Sequence, residues 1–194
     1  MARTPSTMLE LGTPAPGFQL PDCDGQVHAL ADFAGAPALL VAFICSHCPF
    51  VKHLRKEFAA LAREYQPRGL AVVAINSNDV EAYPQDGPDA MRAEAAQLGY
   101  VFPYLLDQNQ AVAKAYRAAC TPDFFLFDAR RWLVYRGQFD DSRPGNGRPV
   151  TGADLRAAID ATLAGRAPAA QQLPSLGCNI KWRKGSEPDY YAGA

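Results

Sequence analysis

No stretch of this 194-residue sequence approaches the ~20 consecutive apolar residues that cross a bilayer, and Met1 to Gly17 holds no apolar core of the signal-peptide kind. A membrane span is therefore excluded, and a cytoplasmic protein in a reducing compartment is the expectation. Excess charge of either sign is also missing. Nineteen Lys and Arg stand against twenty Asp and Glu, leaving a net charge of −1. Such a balance lacks the electrostatic footprint of a nucleic-acid or acidic-lipid surface. No internal repeat is present, so stacked-repeat architectures drop out. The glycines of the polar loop Arg143-Pro144-Gly145-Asn146-Gly147-Arg148-Pro149 are not spaced to cradle a phosphate, and turn chemistry explains them. No second Cys/His pair at metal spacing accompanies the first, so no metal is expected.

Five cysteines are present: Cys23, Cys45, Cys48, Cys120 and Cys178. The odd number argues against a purely structural disulfide framework, and in a reducing compartment cysteines serve catalysis, redox sensing or metals more often than structure. At this length the chain buries enough surface to fold without disulfides.

The hydropathy pattern predicts alternating strands and helices. Asp22-Cys23-Asp24-Gly25 is a hairpin turn between Phe18–Leu20 and Val27–Leu30. Ala38 to Ile44 is a continuous apolar run, the mark of a strand covered on both faces. Phe50, Leu54, Phe58, Leu61 and Tyr65 then share one helical face over 49–65. A strand over 70–75 follows, then a helix over 88–98, a strand over 102–106 and a helix over 109–118. Strands over 124–127 and 132–136 are joined by a tight turn. Thr151 is the expected cap of a last helix reaching about residue 164. The order implies an α/β protein with a sheet between helical layers. Residues 10–165 read as its domain and 166–194 as a linker and tail. Part of the tail, with Cys178, Ile180 and Trp182, is expected to dock on the body, and the residues from Gly185 on to fray.

Cys45-Ser46-His47-Cys48 joins the buried strand to the amphipathic helix. A helix amino end carries unpaired N–H groups and the positive end of the dipole, both of which stabilise a thiolate, the species that attacks disulfides and peroxides. Proline belongs at the first helical position, so Pro49 makes Cys48 the N-cap and the favoured nucleophile, with Cys45 its partner. A cationic His47 would favour the thiolate further. Read like an ordinary thioredoxin, the motif gives the opposite order, with Cys45 attacking. Thr121-Pro122 opens an apolar strand, and on local grounds its peptide bond is expected trans.

Leu11-Gly12-Thr13-Pro14-Ala15-Pro16-Gly17-Phe18 with Asp24-Gly25, Phe43 through His53, Cys120-Thr121-Pro122-Asp123-Phe124-Phe125 and Gly177-Cys178-Asn179-Ile180-Lys181-Trp182 together resemble the alkyl hydroperoxide reductase/thiol-specific antioxidant (redoxin) superfamily, in a peroxiredoxin-like branch that carries a Cys-x-x-Cys. The resemblance implies a thioredoxin-like three-layer α/β/α sandwich with an N-terminal β-hairpin and a C-terminal tail. It implies a cis Thr121–Pro122 bond, with both residues offering backbone to substrate, and it brings Cys120 near the site, as a third redox thiol or a small buried residue. Cys178, on a docked tail, is open between a buried inert residue and an accessory thiol that exchanges with Cys120 or Cys48. The sequence departs from the peroxiredoxin site, which reads Pro-x-x-x-Thr-x-x-Cys with a later arginine. Cys45 stands at the threonine, Val41 at the proline, and the arginine place falls near Pro122. The groups that would stabilise a departing oxygen are thus absent.

The expected activity is therefore thiol–disulfide exchange by Cys48, Cys45 and His47. It needs no cofactor beyond the Cys45–Cys48 disulfide, and its partners are a protein or small-molecule disulfide and an external dithiol. Hydroperoxide reduction is the alternative. A non-enzymatic thioredoxin-like binding module is a further one.

Overall fold

The computed structural model describes residues 3–191. In chain order the elements are β1 (Arg3–Pro5), β2 (Gln19–Pro21), β3 (Val27–Ala29), β4 (Ala38–Phe43), α1 (Pro49–Tyr65), β5 (Leu70–Asn76), α2 (Pro88–Leu98), β6 (Tyr104–Leu106), α3 (Ala111–Ala115), β7 (Cys120–Thr121), β8 (Asp123–Phe127), β9 (Leu133–Gly137), α4 (Ala153–Leu163) and β10 (Leu176–Asn179).

The apolar run forms β4, the centre of a five-stranded sheet ordered β6-β5-β4-β8-β9. It pairs parallel with β5 and antiparallel with β8. Every residue of β4 is buried because both sides of the sheet are covered. Alternation along the strand sorts its side chains. Leu40 and Ala42 face α1, α2 and α4, through Leu54, Phe58, Met91, Leu155 and Ile159. Leu39, Val41 and Phe43 face α3 and the hairpin, through Val112, Tyr116 and Phe18, together with Ile180 and Trp182 of the tail. Phe58 sits between Phe102 and Phe124, with ring centroids at 5.2 and 5.6 Å, and fixes α1 across the sheet. Among the described residues no helix is long and apolar enough to cross a membrane.

Four local expectations are corrected. The third helix is shorter than the 109–118 pattern. Gln110 adopts φ 63 so that its side chain can bond Ser77 O and Lys181 O, and Arg117 at φ 50 turns the chain out of the helix. Gly152, not Thr151, is the N-cap of α4, because the chain enters through a left-handed residue there. The tail does not fray at Gly185: Tyr190 bonds Ala113 O and Ala118 O, and Tyr190 and Tyr191 pack on the α3 side of the core. Residues 192–194, part of that expectation, lie outside the described residues. The Thr121–Pro122 bond is cis, as the family resemblance implied and contrary to the local expectation.

Candidate active site

Pro49 is the first residue of α1, which leaves Cys48 as an extended N-cap at φ −62, ψ 125. Its carbonyl accepts the first helical bond, from Lys52 N at 2.9 Å, and its side chain turns inward beneath the amino end of the helix. Cys45 leaves the end of β4 one loop earlier. Both are buried, with 1% of Cys45 and none of Cys48 exposed.

Two further pieces of chain meet the pair. Thr121, at the end of β7, lies against both sulfurs: its hydroxyl is 3.4 Å from Cys45 Sγ, and as a thiol Cys48 donates to Thr121 O at 3.1 Å. The tail strand β10 pairs antiparallel with β7 on one side and β1 on the other, and Cys178 is the register partner of Thr121. Cys178 is buried in the same cluster as Cys45 and Cys48. All five cysteines are thiols in this structure.

These contacts set the electrostatics. Cys48 is pulled well below its ordinary value, first by the hydrogen bond from Cys178 and then by that from Cys45, against the opposing effect of burial. The same bonds act in reverse on the donors. Cys45 is raised well above its usual value by its bond to Cys48 and by burial, and Cys178 is raised by its bond to Cys48. Cys48, at the helix amino end, is thus the lowest of the three thiols. Cys120 differs: its thiol is fully buried, donates to Pro122 O at 3.5 Å, and is pushed well above its ordinary value by burial.

His47 is held by Asp86. Its amide donates to Asp86 Oδ1 at 3.0 Å and its Nδ1 bonds Asp86 Oδ2. Its ring lies parallel to that of Tyr83, with centroids 6.0 Å apart. Asp86 is itself fully buried, and Asn78 donates to its Oδ2 at 2.8 Å. Asn78 Oδ1 in turn accepts Lys181 N at 2.8 Å, so one amide ties the histidine's carboxylate to the tail. Sequence reading missed Asp86, Asn78 and Asn76, whose Nδ2 donates to Asp86 O at 2.6 Å. Pro84-Gln85-Asp86-Gly87-Pro88 carries only turn signals, and Asn76 and Asn78 look like the polar end of a strand. Removing Asp86 strands three donors, one of them the buried Asn78 amide. Asp86→Ala is expected to cost at least ~2 kcal/mol in denaturant unfolding and to release the His47 ring from its fixed orientation.

Cys45 Sγ, a His47 ring nitrogen and an Asp86 carboxylate oxygen lie within 4.8 Å of one another. Each already has a partner, Thr121 for Cys45 and each other for His47 and Asp86, so the arrangement reads as a hydrogen-bonded thiol site. His53 bonds Ser142 Oγ at 2.7 Å and His28 pairs with Asp22. Cys23 is half-buried in the hairpin turn.

A family model described as AhpC/TSA matches residues 11–136. The crystal structure of a hypothetical protein from Sinorhizobium meliloti is similar at 58% identity and TM-score 0.93, covering 94% of this chain and 100% of that one. That of an uncharacterized conserved protein from Geobacillus kaustophilus is similar at 54% identity and TM-score 0.92, covering 94% and 97%. The thiol-disulfide oxidoreductase ResA of Geobacillus thermodenitrificans is 28% identical over 127 residues, which is 64% of this chain and 67% of that protein.

Proposed function

The chain belongs to the AhpC/TSA family, and we propose that it is a thiol–disulfide oxidoreductase whose nucleophile is Cys48. The observation that carries this reading is the Cys48 sulfur at the amino end of α1, with the Cys45 thiol packed in the same buried cluster and both sulfurs against Thr121. A thiolate held in this way attacks a substrate disulfide, and a second thiol already touching it completes the exchange. Thr121 carries its backbone edge beside both sulfurs, and a substrate segment would pair there in place of β10. The likeness to a protein named thiol-disulfide oxidoreductase agrees with this assignment.

Peroxide reduction is disfavoured by what surrounds Cys48. Cys45 stands where a peroxiredoxin has its threonine, and Val41 is a fully buried residue in the middle of β4. Arg143 uses its guanidinium on Asp140 O, Ser142 O and Gln138 Oε1. With the threonine and proline of that site replaced and the Arg143 guanidinium engaged elsewhere, roughly 10²–10³-fold per missing donor is forgone.

The test is a pair of single-turnover rates on the reduced protein, one with hydrogen peroxide and one with oxidised glutathione, each followed by disulfide mapping. Peroxide is expected to be consumed at the rate of a simple thiol. Glutathione disulfide is expected to react far faster, ending in Cys45–Cys48. A peroxide rate orders of magnitude above that of free cysteine would make this a peroxidase instead.

A further inference from the structure

The redox pair is buried beneath the protein's own tail. Strand β10 lies along the Thr121 edge, and it does so closely: a Cβ on Gly177 would stand 2.0 Å from Thr121 O and 2.6 Å from its carbonyl carbon. Only glycine fits at that position of the strand. The next residue, Cys178, is the antiparallel partner of Thr121, which touches both sulfurs of the pair, and it lies in the same buried cluster as Cys45 and Cys48. An extended segment on the substrate edge, with its cysteine sulfur at the nucleophile, is the geometry of a bound substrate.

We propose that β10 is a built-in substrate strand and that Cys178 resolves the mixed disulfide on Cys48, forming a Cys48–Cys178 disulfide before Cys45 takes it over. This rests on Cys48 being the nucleophile. The sequence balances at each step. With β10 lifted, the Cys48 thiolate attacks an external disulfide RS–SR′ and R′S⁻ leaves as a thiol after protonation. When β10 returns, the Cys178 sulfur attacks Cys48 Sγ, the Cys48–SR bond breaks, and the Cys178 proton goes with RS⁻ to give RSH. The Cys45 sulfur then attacks Cys48 Sγ and Cys178 leaves as a thiol. Two protein thiols have been oxidised and one substrate disulfide reduced to two thiols. An external dithiol reverses the oxidation.

The tail suits this role. Its strand is held by pairing on both sides, and Asn78, Asp79 and Gln110 grip the segment just beyond it, through Lys181 and Arg183. A tethered thiol has an effective concentration that no free thiol in solution reaches. The first cause that raises the Cys178 thiol is its bond to Cys48, and that cause vanishes once Cys48 is locked in a mixed disulfide. Burial goes on raising the Cys178 thiol after that bond is gone, so its loss eases the shift without reversing it.

The experiment uses the full chain with oxidised glutathione as probe, in Cys45→Ser, Cys45→Ser/Cys178→Ser and Cys45→Ser/Gly177→Ala, with products mapped by mass spectrometry. Cys45→Ser is expected to release two equivalents of glutathione and end in Cys48–Cys178. The Cys45→Ser/Cys178→Ser protein is expected to stop at the Cys48–glutathione adduct. Cys45→Ser/Gly177→Ala, which keeps the thiol but cannot seat the strand, is expected to lose at least about tenfold in the rate of the second release. In the wild-type protein, acid quenching should trap Cys48–Cys178 ahead of Cys45–Cys48. If Cys45→Ser halts at the glutathione adduct and no Cys48–Cys178 is trapped in the wild type, the inference falls while Cys48 stands as nucleophile. If the Cys45→Ser/Cys178→Ser protein, folded by circular dichroism, never forms an adduct, the nucleophile assignment falls and takes the inference with it.

Discussion

Cys48→Ser is expected to reduce turnover of glutathione disulfide to background, a loss of at least ~10³-fold, while Cys120→Ser leaves the rate within about twofold. Each other cysteine lacks part of what the chemistry needs. Cys45 and Cys178 are donors to Cys48, and their own protons are held more tightly as a result. Cys120 is fully buried, bonded to Pro122 O and raised by burial. Only Cys48 combines the helix amino end with two thiol donors. The check is a coupled assay with an external dithiol on each single variant. Full activity in Cys48→Ser would transfer the nucleophile to Cys45 and restore the ordinary thioredoxin order.

The second large effect is on pH. Reduced protein is expected to show the ultraviolet absorbance of one thiolate per chain from neutral pH well into the acid range, and Cys48→Ser is expected to abolish it. The sign of the linked stability follows from the direction of the shift. The folded Cys48 value lies below that of an unfolded cysteine near ~8.5, so the unfolded chain binds one more proton between the two values. The thiolate's contribution is complete above the unfolded value and is lost as pH falls toward the folded one. Cys45 and Cys178 are raised, so in that window they are thiols in both states and contribute no slope. The stability difference between wild type and Cys48→Ser should therefore shrink by about 1.4 kcal/mol per pH unit on acidification, read from denaturant midpoints. A flat difference from neutral pH to about pH 5 would mean that Cys48 is an ordinary thiol.

Much of the site could be read in the chain because its parts are local. A continuous apolar run needs cover on both faces, and Ala38–Phe43 is the central strand. Pro49 tolerates only the first helical position, and that alone put Cys48 at the N-cap. The Cys45–Cys48 spacing brings both thiols to one loop. None of these needs knowledge of the rest of the molecule.

What the sequence could not decide is what long-range packing adds. Asp86 reaches His47 across 39 positions, and the carboxylate that orients the ring comes from a proline-rich turn with no periodicity to betray it. His47 is paired with Asp86, and the first causes that lower Cys48 are its hydrogen bonds with Cys178 and Cys45. Cys178 was an even choice between an inert buried residue and an exchanging thiol, since nothing local fixes where a tail docks. Its place depends on three strands from the two ends and the middle of the chain, β1, β7 and β10, meeting in one small sheet. Sequence by itself determined that Cys45 and Cys48 share one loop at a helix start, because a helix start is written in consecutive residues. Only the tertiary structure decided what that pair touches, because register between distant strands is set by packing that no local pattern encodes.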